Sequence, residues 1–376
     1  MREILQTLFP YLLLLYAADC VRYVRGFHVL FVAYWGNSFR MKAAGFRFAD
    51  ISPLGTTFLS HDLPLILGSE GIYFLGIANP HPRVLYRADD YHFIAYLDID
   101  AVACDGEAVK INGKEILRAP STLAAHQIVN QIDELRALSR NERPGKLGVY
   151  LERSFALEAV KERKARFDQK CEPLKYLCSF LFFCTFCILP VVLYTNLYVV
   201  IDLHVLFFGM ILSYIVIFVF TLYLHNTLLA DEKKGRLPLI LSFLFSPLSA
   251  MHIASYLGKD MLYFANYATV AGAVLSPADL QKTLRKELFL ADFFKSEVRS
   301  KDWTEAWDLK QKHLTRLIDR CGVSREALLS SPAKEDEKNL CYCPFCSAQY
   351  TVNHDLCPDC GAKLKRFSSE GTATEL

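Results

Sequence analysis

Four cysteines near the C-terminus carry the most specific chemistry in this sequence. Within Cys341–Phe367, CYCPFCSAQYTVNHDLCPDCGAKLKRF, Cys343 and Cys346 form one Cys-x-x-Cys knuckle, Cys357 and Cys360 form another, and ten residues separate them. Each pair can hold one face of a metal ion, and two pairs complete a tetrahedron of sulfur. Such a closed set suits a structural Zn2+ and leaves no open coordination position for catalysis. Iron is the alternative for the same geometry. Gly361 follows the second knuckle, where the backbone must turn its amides toward sulfur. Cys341 is spare, because pairing it with Cys343 breaks the knuckle spacing, and His354 between the knuckles is a surface residue.

The 341–367 segment resembles the zinc-ribbon family in its rubredoxin-like short form. The resemblance implies a structural zinc held by the thiolates of Cys343, Cys346, Cys357 and Cys360. A piece this short buries too little core to fold alone, so metal binding, about 10–16 kcal/mol in zinc-finger peptides, is its folding energy.

Other chemistry-bearing residues read as surface. Asp98 and Asp100 make the Asp-x-Asp spacing that some metal-dependent glycosyltransferases use for a divalent cation. Strand alternation along Tyr96–Cys104, however, puts both carboxylates on the solvated face, opposite Leu97, Ile99 and Ala101. His61, Asp62, His81 and His92 fall in loops. The chain contains no glycine-rich phosphate loop, no Gly-x-Ser-x-Gly elbow and no His-Glu-x-x-His. Twelve cysteines are scattered over 376 residues, which is not the dense framework of a small secreted domain. Cys178, Cys184 and Cys187 lie in an apolar run, and Cys20, Cys104, Cys171 and Cys321 show no pairing pattern. A net charge of +2 argues against a nucleic-acid binder.

Stepping outward from the cysteines, the elements that must carry them look membrane-bound. Leu174–Tyr194 and Leu203–Leu224 are each close to the ~20 apolar residues needed to cross a bilayer, and are expected as two spanning helices. Thr195–Asp202 between them holds no Lys or Arg. Basic clusters at Lys161–Lys175, Lys233–Arg236 and Lys282–Lys286 flank the region, so the positive-inside rule places the soluble parts in the cytoplasm. Residues 237–275 form either two short spans or a re-entrant half-helix followed by an interfacial helix. Residues 1–25 read as an interfacial helix, a short span or a signal segment.

Residues 26–145 show period-two patterning, with turns at Asp105-Gly106 and Asn112-Gly113. They close with a helix capped by Ser121 that carries Leu123, Ile128, Ile132, Leu135 and Leu138 on one face. Strands followed by one amphipathic helix resemble pleckstrin-homology-like and GRAM-like adaptor domains, in topology alone. Residues 146–173 read as a charged helical stalk, and 276–331 as a helical spacer with Ser276-Pro277, Gly322 and Ser324 as its caps. Residues 332–340 read as a linker, and 368–376 as a tail.

The fold class expected is thus a multi-domain integral membrane protein: a β-rich cytoplasmic domain, a transmembrane region, a helical spacer and a small zinc ribbon. The whole chain resembles bacterial inner-membrane proteins. The function expected is that of an adaptor that recruits a protein partner through the ribbon or the β-rich domain, with lipid as its other partner. The alternative is a membrane enzyme or transport component using Asp202, His204, His252, Lys259 and Asp260.

Overall fold

Leu65 to Arg118 fold as two three-stranded antiparallel sheets in the computed structural model, which describes residues 65–77, 84–119, 121–183, 203–228, 261–297 and 299–367. The first sheet has the order β1 (Leu65–Leu67), β2 (Gly71–Phe74), β3 (His92–Ala95), and the second β4 (Val102–Asp105), β5 (Ala108–Ile111), β6 (Lys114–Arg118). A 3-10 turn at Tyr96–Asp98 interrupts the run from Phe93 to Cys104 and separates the sheets. The cause lies in Tyr96, whose ring is buried and whose hydroxyl donates to the Gly68 carbonyl at 3.0 Å. With alternation lost there, Leu97 is 93% exposed while Ile99 is buried.

The second hairpin is closed by Asn112 at φ 50° and Gly113 at φ 79°, the pair of positive angles that a two-residue turn needs to match strand twist. The Asn112 side chain then ties down the preceding loop. Its Oδ1 accepts from the Asp100 and Ala101 amides at 2.8 and 3.1 Å, and its Nδ2 donates to the Asp98 carbonyl at 3.0 Å.

Helix α1 (Thr122–Ala137) begins at Ser121, whose hydroxyl accepts from the Ala124 amide at 3.2 Å. It buries Ala124, Ala125, Val129, Ile132 and Leu135; Leu123 and Ile128 are only half-buried. The buried stripe is therefore rotated from the expected one, because small alanines let the helix approach the sheets. Ile72, Phe74, Val109, Ile111, Ile116 and Leu117 complete this core.

The charged stalk is two helices, α2 (Arg143–Ser154) and α3 (Leu157–Phe183). They part at Phe155, which turns inward beside His313 with ring centroids 5.9 Å apart. Farther along α3, Lys161–Glu158, Arg166–Glu162 and Lys164–Asp168 pair at helical spacing.

The chain divides into two compact units, one containing Glu162–Leu262 and the other Thr57–Lys161 with Tyr263–Leu376. In the former, α4 (Leu203–Leu228) buries Leu224 and exposes Phe208, Leu212, Ile215 and Val219. Lys170 of α3 lies over the Tyr223 ring of α4 at 5.6 Å.

The membrane architecture expected from the sequence is corrected here: among the described residues, no helix is long and apolar enough to cross a membrane. In α3 the described part of the apolar run, as far as Phe183, continues a charged helix through Pro173. Residues 184–202, 229–260 and the N-terminal 1–25 lie outside the described residues. The end of the supposed re-entrant or interfacial segment is also corrected. Tyr267–Val274 is a helix, α5, whose Thr269, Val270 and Ala271 are wholly buried in protein. It is apolar on all sides because protein surrounds it: a Cβ added at Gly272 lies 2.9 Å from Cys321 Sγ and 3.2 Å from Leu157.

Three further helices follow, α6 (Pro277–Ser296), α7 (Lys301–Arg320) and α8 (Arg325–Leu329), with N-caps Ser276, Ser300 and Ser324. Gly322 at φ 67° ends α7, so the letters that mimic a helix-turn-helix are two ordinary caps. Trp303 and Trp307 of α7 pack on Phe294 of α6, with the Phe294 and Trp307 rings stacked at 4.7 Å. Tyr91 joins them edge-on. Asp302 fastens α7 to the first sheet. Its Oδ1 accepts from the Ser69 amide at 2.6 Å, the Ser69 hydroxyl at 2.7 Å and the Glu70 amide at 3.2 Å.

Candidate metal centre

The ribbon is built on three two-residue strands, β7 (Cys341–Tyr342), β8 (Gln349–Tyr350) and β9 (Lys365–Arg366), in the order β8-β7-β9. Each knuckle leaves this frame as the same turn. In the first, the Cys343 amide donates to the Ala348 carbonyl at 2.8 Å and the Ser347 amide to the Cys343 carbonyl at 3.0 Å. In the second, Cys357 donates to Ala362 and Gly361 to Cys357, both at 2.8 Å. Pro344 and Pro358 sit at matching places, fixing φ without losing a needed donor.

These two turns bring the sulfurs of Cys343, Cys346, Cys357 and Cys360 within 4.8 Å of one another. Across the knuckles, Cys343 and Cys360 are 3.5 Å apart, as are Cys346 and Cys357. A tetrahedron with Zn–S bonds of ~2.3 Å has sulfur–sulfur edges of roughly 3.8 Å, so the spacing fits a metal ion such as zinc. The cluster is also the donor set that such an ion requires, thiols alone with two of them wholly buried.

Electrostatics make the same point. Hydrogen bonds from the Cys343 and Cys346 thiols pull Cys360 well below the usual thiol range, while hydrogen bonding to Cys346 and Cys360 pushes Cys343 up. One thiolate is thus favoured and the next opposed, and a bound divalent cation removes that opposition. One nearby group supplies positive character: the Cys346 amide points at Cys343 Sγ from 3.3 Å. The Tyr350 hydroxyl donates its one proton to Asp359 at 3.0 Å and lies 3.0 Å from Cys357 Sγ, where it can accept from the thiol. Lys286 of α6 stands over the Phe345 ring at 4.4 Å, and burial lowers its pKa. The positions of Tyr350 and Lys286 were not readable from cysteine spacing; only the tertiary fold delivers them.

Cys341 is outside the thiol cluster but is not idle. It is fully buried in the central strand, with its thiol 3.3 Å from the Val352 carbonyl. His354 is exposed, edge-on to Tyr350. Asp98 and Asp100 are exposed, as is His92. His61, Asp62, His81, Asp202, His252, Lys259 and Asp260 lie outside the described residues, and His204 is on α4. Cys104, half-buried against the core, has its Sγ 3.2 Å from His126 Nδ1, a contact between β4 and α1 that cysteine spacing does not signal. Cys321 is half-buried beside α5, and burial raises its pKa.

Comparison with family models, curated proteins and solved structures finds no match to this chain.

Proposed function

We propose that this protein is a zinc-ribbon adaptor: Cys343, Cys346, Cys357 and Cys360 hold a structural Zn2+, and the stiffened ribbon offers a docking surface to a protein partner. The closed set of four thiols carries this reading, because four sulfur ligands satisfy zinc and leave it no site for substrate. The ion supplies folding energy, and the chain's own residues supply the surface. Arg285 on α6 donates to the Ala327 and Leu328 carbonyls at 3.0 Å each, joining α8 to the helix beneath the ribbon. Phe289 meets Phe345 at 6.2 Å. On the ribbon itself, Val352 and Leu356 are 58% and 59% exposed, and exposed apolar side chains on a rigid frame are contact points for a partner. Thiolates that hold zinc must stay reduced, so the reading also assigns the ribbon to a reducing compartment.

The experiment pairs metal analysis with site-directed cross-linking in cells. One zinc per chain is expected, together with a partner cross-linked from a photoreactive residue at position 352 or 356. Val352→Asp with Leu356→Asp should lose the partner and keep the zinc, whereas Cys343→Ser with Cys357→Ser should lose both. A full zinc equivalent retained in the cysteine double variant sinks the metal assignment. An undiminished partner in both variants sinks the adaptor.

A further inference from the structure

Strand β1 is an edge of the first sheet: β2 pairs with it on one side, and among the described residues no strand lies on the other. The register shows which backbone groups this leaves over. Gly68 donates to the Gly71 carbonyl at 2.9 Å, so these two form the hydrogen-bonded pair that closes the hairpin. Hydrogen-bonded and non-hydrogen-bonded pairs alternate along an antiparallel ladder. Ile66 and Tyr73 are thus the next bonded pair, while Leu65 opposite Phe74 and Leu67 opposite Ile72 exchange no bonds. The amides and carbonyls of Leu65 and Leu67 point away from β2, and among the described residues no hydrogen bond reaches them.

These four groups open into a slot. Leu65 and Leu67 share the sheet face of Phe74 and Ile72, which packs into the α1 core. Ile66 shares the opposite face with Tyr73, whose ring meets Trp303 of α7 edge-on at 5.1 Å. All three β1 residues nevertheless line one half-open cavity of about 210 Å3. Side chains on opposite faces of a strand border the same space only where that space runs along the strand's edge. Helices wall the slot on both sides, with Ala124 and Ile128 of α1 on one and Ala306 and Leu309 of α7 on the other. Gln131, Ser154 and Lys310 also border it, which suits an occupant with a polar backbone better than a purely apolar molecule.

We propose that the slot takes one extended segment of a partner protein, which adds to β1 as a further strand of the first sheet. A row of backbone donors and acceptors specifies an extended polypeptide, because another strand repeats the complementary groups at the same interval. The helices on either side leave no room for the whole sheet edge of a second copy, so the occupant is a single strand. Its residues opposite Leu65 and Leu67 turn toward α1, and the one opposite Ile66 turns toward α7, so apolar side chains suit all of them. β1 has three residues, and the contact is correspondingly short. The inference uses no residue of the ribbon and stands or fails apart from the zinc reading.

The test uses acetylated, amidated peptides with a central triplet of valine, leucine or phenylalanine flanked by lysines. They are titrated into the full chain and followed by NMR and amide hydrogen exchange. With the tightest of them bound, the Leu65 and Leu67 amides should exchange at least about tenfold more slowly, while Ile66, already bonded to Tyr73, changes little. An N-methyl group walked along the peptide should weaken binding about tenfold at alternate residues only, where the amide faces β1. Ala306→Phe narrows the slot from the α7 side without touching β1 and should weaken binding at least about tenfold, with Ile66 protection retained as the sign that the sheet still stands. Leu65 and Leu67 amides that exchange as before with every peptide at millimolar concentration overturn the proposal. So do N-methyl effects without alternation, or an Ala306→Phe chain that binds as the unaltered one does.

Discussion

Ser347 and Gly361 occupy the same place in the two knuckles, one residue after the second cysteine, with φ of 62° and 77°. Both are left-handed, and both amides close the same hydrogen bond to the carbonyl of the knuckle's first cysteine. Glycine adopts this conformation without penalty, whereas a residue with a Cβ is strained by about 1 kcal/mol. Ser347→Gly should therefore stabilise the zinc-loaded chain by about 0.5–1 kcal/mol, and Gly361→Ala should destabilise it by about 1 kcal/mol. Denaturant unfolding monitored at the ribbon reads both, and a destabilising Ser347→Gly or a stabilising Gly361→Ala would refute the matched-turn description.

Metal removal should act locally. A strong chelator is expected to unfold 341–367 while leaving the helix and sheet signals of the remainder in place, because metal binding is the folding energy of so small a segment. Cys341→Ser separates ligand from core. It should retain a full equivalent of zinc yet cost about 1 kcal/mol, since Cys341 is wholly buried between β8 and β9. Zinc loss in this variant would make Cys341 a ligand after all.

Asp302 and Gly68 should behave as one feature. A Cβ at residue 68 would lie 2.1 Å from Asp302 Oδ2, so Gly68→Ala must push away the carboxylate that holds the Ser69 and Glu70 amides. Asp302→Ala leaves those donors buried and should cost about 3 kcal/mol; Gly68→Ala should cost a similar amount. The double variant should lose much less than the sum, because both changes remove the same contact. Additive losses in urea unfolding would disprove the link.

His313 gives the fold a pH dependence. Burial, followed by Arg316, lowers its pKa below the ordinary histidine value of about 6.5. The unfolded chain then binds the proton more readily, so His313 contributes stability above the unfolded pKa that is lost as pH falls through the folded one. His313→Phe, which keeps a ring beside Phe155, should remove this component of the acid slope between neutral pH and pH 5. An unchanged slope in the variant assigns it to other groups.

How legible all this was in the sequence depends on whether the signal was local. Cap and turn chemistry carried: Ser121, Ser276, Ser324, Gly322 and Asn112-Gly113 act as their residue types demand, because each needs only its own backbone neighbours. The clustering of Cys343, Cys346, Cys357 and Cys360 was readable for the same reason, as each knuckle is a closed local turn. Hydropathy misled where partners were remote. Tyr267–Val274 is apolar because Leu157 and Cys321 surround it, and a window of sequence cannot tell buried protein from lipid. The stance of Lys286 over Phe345 left no trace in spacing, since the two residues are far apart in the chain.

The Asp302 clasp also bears on the order in which the molecule can be completed. Its carboxylate and the Ser69 amide it holds are 233 residues apart. At a synthesis rate of about 5–20 residues per second, the ribosome needs roughly 10–50 s to make that interval. For that time the Gly68–Gly71 turn of the nascent first sheet has uncapped amides and no helix to lean on. A chaperone that shields exposed strands would have its longest opportunity on this chain between translation of β2 and translation of α7.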